Sequence, residues 1–335
     1  MTLPARPNDG AHKTQARSNA VGVAVGLSAA ILAVRADEPV VAVVQAQHCD
    51  RGNEASLPCG LFAPGEHPTL EGALRAQVLR ETGLALNGAR QLGAVVGDNE
   101  GDDGLSAKVV AVTYLALVGP GHDTVGWRSW YAYFPWEDWR HGRPGCLDGD
   151  ICPRLEDWAR VSAEPCRRDQ PLDRQQRVRL AFGTGTAWDE EKVLERYELL
   201  CEAGLLSDPH EDSNEPAVLS RSLPRLRHRL LGDQTRVLAS AIAELRRAIK
   251  CKPLVFELMG DVFTLYELQK TVEAILGPNL HKQNFRRLVE GCGLVEPTGK
   301  YRLRTGGRPA QLYRFRREVV LERMAPGVRV KPGRA

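Results

Sequence analysis

The residues whose types and spacing best suit chemistry lie near the C-terminal end, in His281-Lys-Gln-Asn-Phe-Arg-Arg287. On a helix, Phe285, Leu288 and Val289 share one face, while Lys282, Gln283, Asn284, Arg286 and Arg287 fall mostly on the others. Gln and Asn amides match adenine edges bidentately, and Arg or Lys matches guanine. Downstream, Lys300-Tyr-Arg-Leu-Arg-Thr-Gly-Gly-Arg-Pro-Ala-Gln311 places Arg302, Arg304 and Arg308 around Gly306-Gly307, where bare backbone can approach a phosphate or enter a minor groove. The competing reading is a small helical domain with a basic solvated face.

Such groups need a scaffold, and the neighbouring sequence supplies one. Thr264, with Glu267 three residues on, has the spacing of a capping box. Leu265, Leu268, Val272 and Ile275 then mark a helix, Gly277-Pro278-Asn279 a turn, and His281–Cys292 a second helix. Leu294–Glu296 and Gln311–Phe315 flank a Gly/Pro-rich tip and read as a β-hairpin. Helix, turn, helix and hairpin is the winged helix-turn-helix layout, whose second helix enters the major groove; Thr264, at the start of the first helix, is a candidate DNA-binding residue. Ahead of it, Val237, Leu238, Ile242, Leu245 and Ile249 recur along an amphipathic helix over Gln234–Lys250, and Leu254–Met259 is a further short helix after Pro253.

Charge is partitioned along the chain. Residues 1–220 carry 21 Lys+Arg against 32 Asp+Glu, and residues 221–335 carry 24 against 10. An acidic first part joined to a basic second part fits nucleic acid at the C-terminal end. The 335 residues suggest about two domains. No apolar run reaches 18 residues, which argues against a membrane span, and the polar start lacks a secretory h-region. Eight cysteines without a CxxC pair read as free thiols of a reducing cytoplasm. His141, Cys146, Cys152 and Cys166 are too loosely spaced for a structural zinc, and no metal site is expected.

The first part reads as follows. Residues 1–20 are a disordered tail. Val21–Val34 and Val40–Gln47 form a hairpin around Arg35–Pro39. Thr69–Thr82 is a helix closed by Gly83, and Ala107–Val118 is a strand. Trp130–Phe134 is a short strand followed by a helical turn, Pro135–Trp139. Residues 141–185 read as an irregular insertion with one helix at Leu155–Val161. Ala187–Ala203 is a helix capped by Gly204, and Ser207–Pro216 is an acidic loop. The aromatic run from Trp127 to Trp139 is read as core rather than a stacking site, with Trp130 kept as a candidate against an adenine.

The stretch Phe256-Glu-Leu-Met, Phe263-Thr-Leu-Tyr-Glu-Leu-Gln269, Lys282-Gln-Asn-Phe-Arg-Arg287, Gly293-Leu-Val-Glu-Pro-Thr-Gly299, Gly306-Gly-Arg-Pro-Ala310 and Leu312-Tyr-Arg-Phe-Arg316 resembles the C-terminal domain of Nudix-related transcriptional regulators of NAD metabolism. Within that family it is most similar to the longer proteobacterial branch that represses de novo NAD synthesis genes. The resemblance implies an α+β chain: an N-terminal Nudix-like α/β/α sandwich with an insertion, and a C-terminal winged helix-turn-helix. The expected divisions are a sensor over 21–215, linker and connecting helix over 216–250, the DNA-binding domain over 251–320 and a tail over 321–335. It further implies a double-stranded DNA operator, a homodimer, and an effector such as ADP-ribose, NAD or ATP, with no cofactor.

A Nudix box, G-x5-E-x7-R-E-U-x-E-E-x-G-U, gathers glutamates on one helix face to hold Mg²⁺ at a pyrophosphate. Here Gly60, Glu66, Glu81 and Gly83 resemble its ends. Two residues near His67-Pro68 are extra; the Arg-Glu pair becomes Ala76-Gln77 and the Glu-Glu pair Arg80-Glu81. An amide and a cation in place of carboxylates weaken metal binding, while Arg80 can pair with a phosphate directly. Gly60, Glu66, Arg80, Glu81 and Trp130 are therefore the candidate ligand residues of a sensor that does not hydrolyse. The alternatives are a Nudix pyrophosphohydrolase acting on ADP-ribose or a related nucleotide, and a sequence-indifferent nucleic-acid scaffold.

Overall fold

The computed structural model describes residues 23–45, 55–100, 106–122, 126–161, 172–206, 229–303 and 309–321. The expected tails, the acidic loop, Cys49, Cys166, Arg304, Gly306, Gly307 and Arg308 lie outside the described residues.

Strands β1 (Val23–Arg35) and β2 (Glu38–Gln45) pair antiparallel, as their β-branched runs predict. Ala36 and Asp37 take positive φ of 47° and 62° at the turn, the backbone hand that matches strand twist in a two-residue hairpin. β3 (Ala55–Ser56) and β4 (Cys59–Leu61) are short edge pieces on β2 and β1. Helix α1 (Leu70–Thr82) follows; Thr69 Oγ1 accepts from Gly72 N at 3.1 Å at its start, and Gly83 closes it at φ 71°. β5 (Arg90–Glu100), which the sequence reading had not assigned, pairs antiparallel with β6 (Ser106–Leu117), and β6 runs parallel to β1. β7 (Gly126–Ser129) adds to β2, giving a mixed seven-stranded sheet with the path β3-β2-β1-β6-β5.

Alternation along β1 sorts the two faces. Leu27, Ala29 and Ile31 join Ala73, Leu74 and Val78 of α1, while Ala30 and Leu32 face the opposite layer. That layer is helical: α2 (Cys152–Val161), α3 (Arg174–Phe182), α4 (Val193–Glu202) and α5 (Gln234–Cys251). Helices on both faces of the sheet make the expected α/β/α sandwich.

Three expectations need correction. Trp130–Phe134 is not a strand: β7 ends at Ser129, whose Oγ accepts from Tyr131 N at 3.3 Å and turns the chain into a 3₁₀ helix, Trp130–Ala132. A second 3₁₀ turn, Pro135–Glu137, follows. The 141–185 stretch is largely helical rather than irregular. A π-turn at Leu147–Ile151 leads into α2, and Pro153 sits just past that junction, where the hydrogen-bond ladder changes register. α3 carries a full capping box, Asp173 with Gln176, and ends at Gly183 in the left-handed region. Finally, the Ala187–Ala203 helix begins only at Val193, because Asp189 folds back on Glu191 N at 3.0 Å.

The C-terminal module is α6 (Leu265–Leu276), α7 (Lys282–Gly291) and the hairpin β8 (Val295–Arg302) and β9 (Ala310–Phe315), preceded by a 3₁₀ helix at Pro253–Leu258. It shares one continuous core with the helical layer of the sandwich. At their junction lies a buried charge cluster. Glu137 Oε1 accepts from Arg196 Nε of α4 at 2.5 Å, and its Oε2 accepts from Arg246 Nη1 of α5 at 2.6 Å. Arg196 also donates to Ala181 O and Asp189 O, both at 2.8 Å, and stacks over Trp188. Arg246 Nε donates to Ile275 O at the end of α6 at 2.8 Å, and Tyr131 Oη to Ala274 O at 2.8 Å. Burial disfavours the Arg246 cation, yet Glu137 and Tyr131 outweigh that and raise its pKa.

Among the described residues Glu137 is the one carboxylate bonded to both buried guanidinium groups, and removing it leaves two uncompensated charges. Glu137→Gln is expected to cost about 3–5 kcal/mol, read as a lower urea midpoint at unchanged slope. A midpoint equal to wild type would show that the cluster is not needed.

Candidate functional site: a basic helix and a sheet-face cleft

The DNA-reading candidates are built from the capping of α6 upward. Thr264 Oγ1 accepts from Glu267 N at 3.1 Å, and Glu267 Oε2 accepts from Thr264 N at 2.8 Å, so the expected capping box forms. Thr264 itself is buried and its hydroxyl serves the cap. The turn to α7 is held by Glu273, whose Oε1 accepts from Leu280 N at 2.9 Å and Gln269 Nε2 at 2.8 Å. Gly277 lies at φ 99°, and a Cβ there would sit 3.3 Å from Glu137 O, so the turn is pressed onto the sensor. Asn279 Nδ2 donates to Arg140 O at 3.0 Å beside it.

Phe285 and Val289 bury the inner face of α7. Lys282, Gln283, Asn284, Arg286 and Arg287 are all exposed on a helix of two and a half turns. Arg302 pairs instead with Glu267, which ties β8 to the cap of α6. Phe263 bridges to Tyr313 of β9, and Phe256 stacks on Phe315 at 4.4 Å between centroids. This is a rigid base from which the cationic and amide side chains of α7 project together. Thr264→Ala should lower stability by about 1 kcal/mol through the lost cap; thermal melts of the full chain measure it, and an unchanged Tm would rule out that role.

The ligand candidates fall around the loop Leu57-Pro-Cys-Gly60. From the α1 side, Cys59 N donates to Glu81 Oε2 at 3.2 Å and Gln77 Nε2 donates to Cys59 O at 3.2 Å, while Gln77 also bonds Glu81. Burial pushes the Glu81 carboxyl above its ordinary range; Gln77, the Cys59 N–H and Arg80 pull it back. Gly60 lets the Gln77 amide approach closely, since a Cβ there would lie 2.8 Å from Gln77 Cδ and displace that side chain. Gly60, Gln77 and Glu81 are thus brought together. Glu66 and Arg80 are exposed on either side of α1, and the described contacts do not draw Glu66 into the set.

From the other side the loop meets a residue the sequence reading missed. Leu57 N donates to Gln234 Oε1 at 2.7 Å, and Gln234 Nε2 points to Cys59 Sγ at 3.5 Å. Gln234 opens α5, and nothing in its local sequence marks it, because its partners lie some 175 positions away. Between the loop, α5 and the sheet lies a cleft of about 400 Å³. Its floor is Gly26, Val109 and Ala111, with Gly60 and Leu61 at one side and Asp233 and Gln234 at the other. Ser28 also lines it, buried, with an Oγ that finds no partner among the described residues.

Trp130 is elsewhere: fully buried in the helical core with Tyr131, Phe134 and Trp136, it presents no ring face to a ligand. That placement agrees with the core reading of the aromatic run. Among the described residues no three His, Cys, Asp or Glu side chains gather as for a metal. Cys146 and Cys152 are free thiols, and burial pushes Cys146 up to about 11. No helix among the described residues is long and apolar enough to cross a membrane.

Comparison with known proteins places these features. Residues 255–315 match the NrtR DNA-binding winged helix domain. Over 106 residues the chain is 40% identical to an ADPR responsive transcriptional repressor NtrR of Acinetobacter baylyi, an alignment covering 32% of this chain and 41% of that relative. The chain therefore spans less than half the length of that curated relative. In structure it is similar to Shewanella oneidensis NrtR complexed with a 27mer DNA, with a TM-score of 0.52 at 18% identity over 88% of this chain and 94% of that one. The same protein without DNA gives 0.50 at 17% identity over the same shares. Residues 255–315 thus match the NrtR winged helix domain, and the chain as a whole has the fold seen in the Shewanella oneidensis NrtR structures.

Proposed function

We propose that this protein is a transcriptional regulator, a repressor of NAD biosynthesis genes, that binds operator DNA through α7 and its wing and senses ADP-ribose through its Nudix-like domain. The observation that carries the reading is the face of α7: five exposed cationic and amide side chains on a helix anchored by Phe285 and Val289, within a segment that matches a DNA-binding family. Arg286 and Arg287 supply guanine or phosphate contacts, and Gln283 and Asn284 suit adenine. A name that includes ADPR responsiveness for the relative from Acinetobacter baylyi supports ADP-ribose over NAD or ATP.

The sensor is read as a binder rather than a hydrolase. Gln77 and Arg80 stand where carboxylates would hold Mg²⁺, and Glu81 is engaged with Gln77 and the Cys59 amide. Arg80, exposed at the end of α1, is free in space to meet a pyrophosphate. The operators are read by a homodimer, because two winged helices must meet two half-sites related by two-fold symmetry.

Fluorescence anisotropy on the upstream DNA of the organism's NAD synthesis genes, against a scrambled duplex, tests the reading. Binding to the true fragment alone, shifted by ADP-ribose and not by NAD or ATP, is expected. Equal salt-sensitive binding to both duplexes would reduce the module to a basic surface. Arg286→Ala and Arg287→Ala should each weaken operator binding by about 1–3 kcal/mol; unchanged affinity in both would remove α7 as the reading helix. Arg80→Glu should weaken the ADP-ribose response in a protein that melts normally, whereas a wild-type response would exclude Arg80 from the site. Mg²⁺-dependent release of AMP from ADP-ribose at enzymatic rates would overturn the non-hydrolytic reading.

A further inference from the structure

The loop Leu57–Gly60 is held from two sides by two elements with different destinations. On one side are Gln77 and Glu81, the remnant of the box helix. On the other is Gln234, which uses both ends of its amide: the oxygen takes Leu57 N at 2.7 Å and the nitrogen points to Cys59 Sγ at 3.5 Å. Leu231 N adds a bond to Ala55 O at 3.1 Å, so the start of α5 is stitched to β3 and to this loop. Gln234 also lines the cleft, opposite Gly60, above a floor whose Ser28 hydroxyl is buried and unbonded among the described residues. A buried hydroxyl without a partner is costly, and a polar ligand atom in the cleft would satisfy it.

The far end of the same helix holds the DNA-binding module. Arg246, twelve residues on and about 18 Å along the axis, bonds Ile275 O at the end of α6 and Glu137 of the sensor. α5 is a continuous helix with a buried stripe from Val237 to Ile249, so displacement at its first turn is carried to Arg246 rather than absorbed.

We propose that Gln234 is a positioning residue that reports occupancy of the sheet-face cleft to the winged helix: a nucleotide seated against Gly60 and Ser28 breaks its hold on the Leu57–Cys59 loop, and α5 transmits the shift to the α6 carbonyls through Arg246. This rests on the reading of the sensor as an ADP-ribose binder and adds the residue through which binding is coupled. A ligand moves DNA affinity only by its differential affinity for the two arrangements. Gln234 makes that difference because its two bonds exist only while the loop is in place.

The test uses the full chain and two readouts at saturating ADP-ribose, so that altered effector affinity does not enter. Hydrogen exchange is followed in peptides spanning 55–61 and 234–246, and operator affinity is measured with and without effector. In the wild type, ADP-ribose is expected to change exchange in both peptides and to shift operator Kd by about fivefold or more. In Gln234→Ala the change in 55–61 should persist, the response of 234–246 should vanish, and the Kd shift should fall below about twofold. Effector-free operator affinity of Gln234→Ala should move toward the effector-bound wild-type value, since the hold on the loop is already absent. Gln234→Glu keeps the shape and the acceptor for Leu57 N but loses the donor to Cys59, and should show a partial loss; it also serves if the alanine variant folds poorly. A full Kd shift in both variants, or a wild-type response confined to 55–61, would overturn the proposal. ADP-ribose that changes no peptide in the wild type would instead overturn the effector reading itself, and the coupling role with it.

Discussion

One carboxylate holds this molecule together at the place where its parts meet. Glu137 comes from a 3₁₀ turn after the sheet, Arg196 from the helical layer, and Arg246 from the helix leading to the winged helix. Two guanidinium groups out of water impose a desolvation cost that one carboxylate does not fully offset. The remainder is met by backbone carbonyls: Ala181, Asp189, Glu190 and Ile275 each take an Arg N–H. Those carbonyls belong to the ends of α3 and α6 and to the turn before α4. The cluster therefore requires that all of them be in register at once, which an apolar contact of the same volume would not.

That requirement explains why the winged helix module is oriented on the sandwich rather than hung from it. The last carbonyls of α6, left over by any helix end, are taken by Tyr131 and Arg246. Gly277 allows the following turn to lie against Glu137 and Trp139, where a larger residue would collide. A helix-turn-helix normally satisfies these groups with solvent or its own cap; here they are the fastening. Lys282, Arg286 and Arg287 of α7 stay exposed, so holding the module does not cover its basic surface.

What could be read from the sequence followed how local its causes are. The β1–β2 hairpin, the Thr264 cap, the Gly83 stop and the long stripe of α5 are each set within a few residues, and each forms as expected. The anchored face of α7 was legible for the same reason. Ser129 ending β7 on Tyr131 N was not, because alternation in an aromatic run looks the same in a strand and a 3₁₀ turn. The Asp173–Gln176 box was visible but lost among the prolines and arginines around it. Arg246 carried a signal as well: it sits at the four-residue step after Ile242, a charge inside an apolar stripe, and such a charge needs a buried partner. Which partner was beyond reach, since Glu137 is 109 positions away. Of the ligand candidates, Gly60 and Glu81 meet at one loop, whereas the cleft that gives them a purpose depends on Gly26, Ser28 and Ala111 from strands whose registry no local pattern states.

The same distinction bears on the helix that carries Gln77 and Glu81. A hydrolase needs several carboxylates aimed outward at a metal, which leaves them available. In this chain Glu81, itself exposed, bonds back inward to the loop, taking the Cys59 amide and the Gln77 side chain. Gln77 is better suited to that inward role than a glutamate, because it donates to Cys59 O and to Glu81 where a second carboxylate would repel. Arg80 at the adjacent position adds attraction for Glu81 instead of competition for a cation. Gln77 and Glu81 together thus support the Leu57–Gly60 loop. A loop so supported from the α1 side is held on its other side by Gln234, where α5 begins.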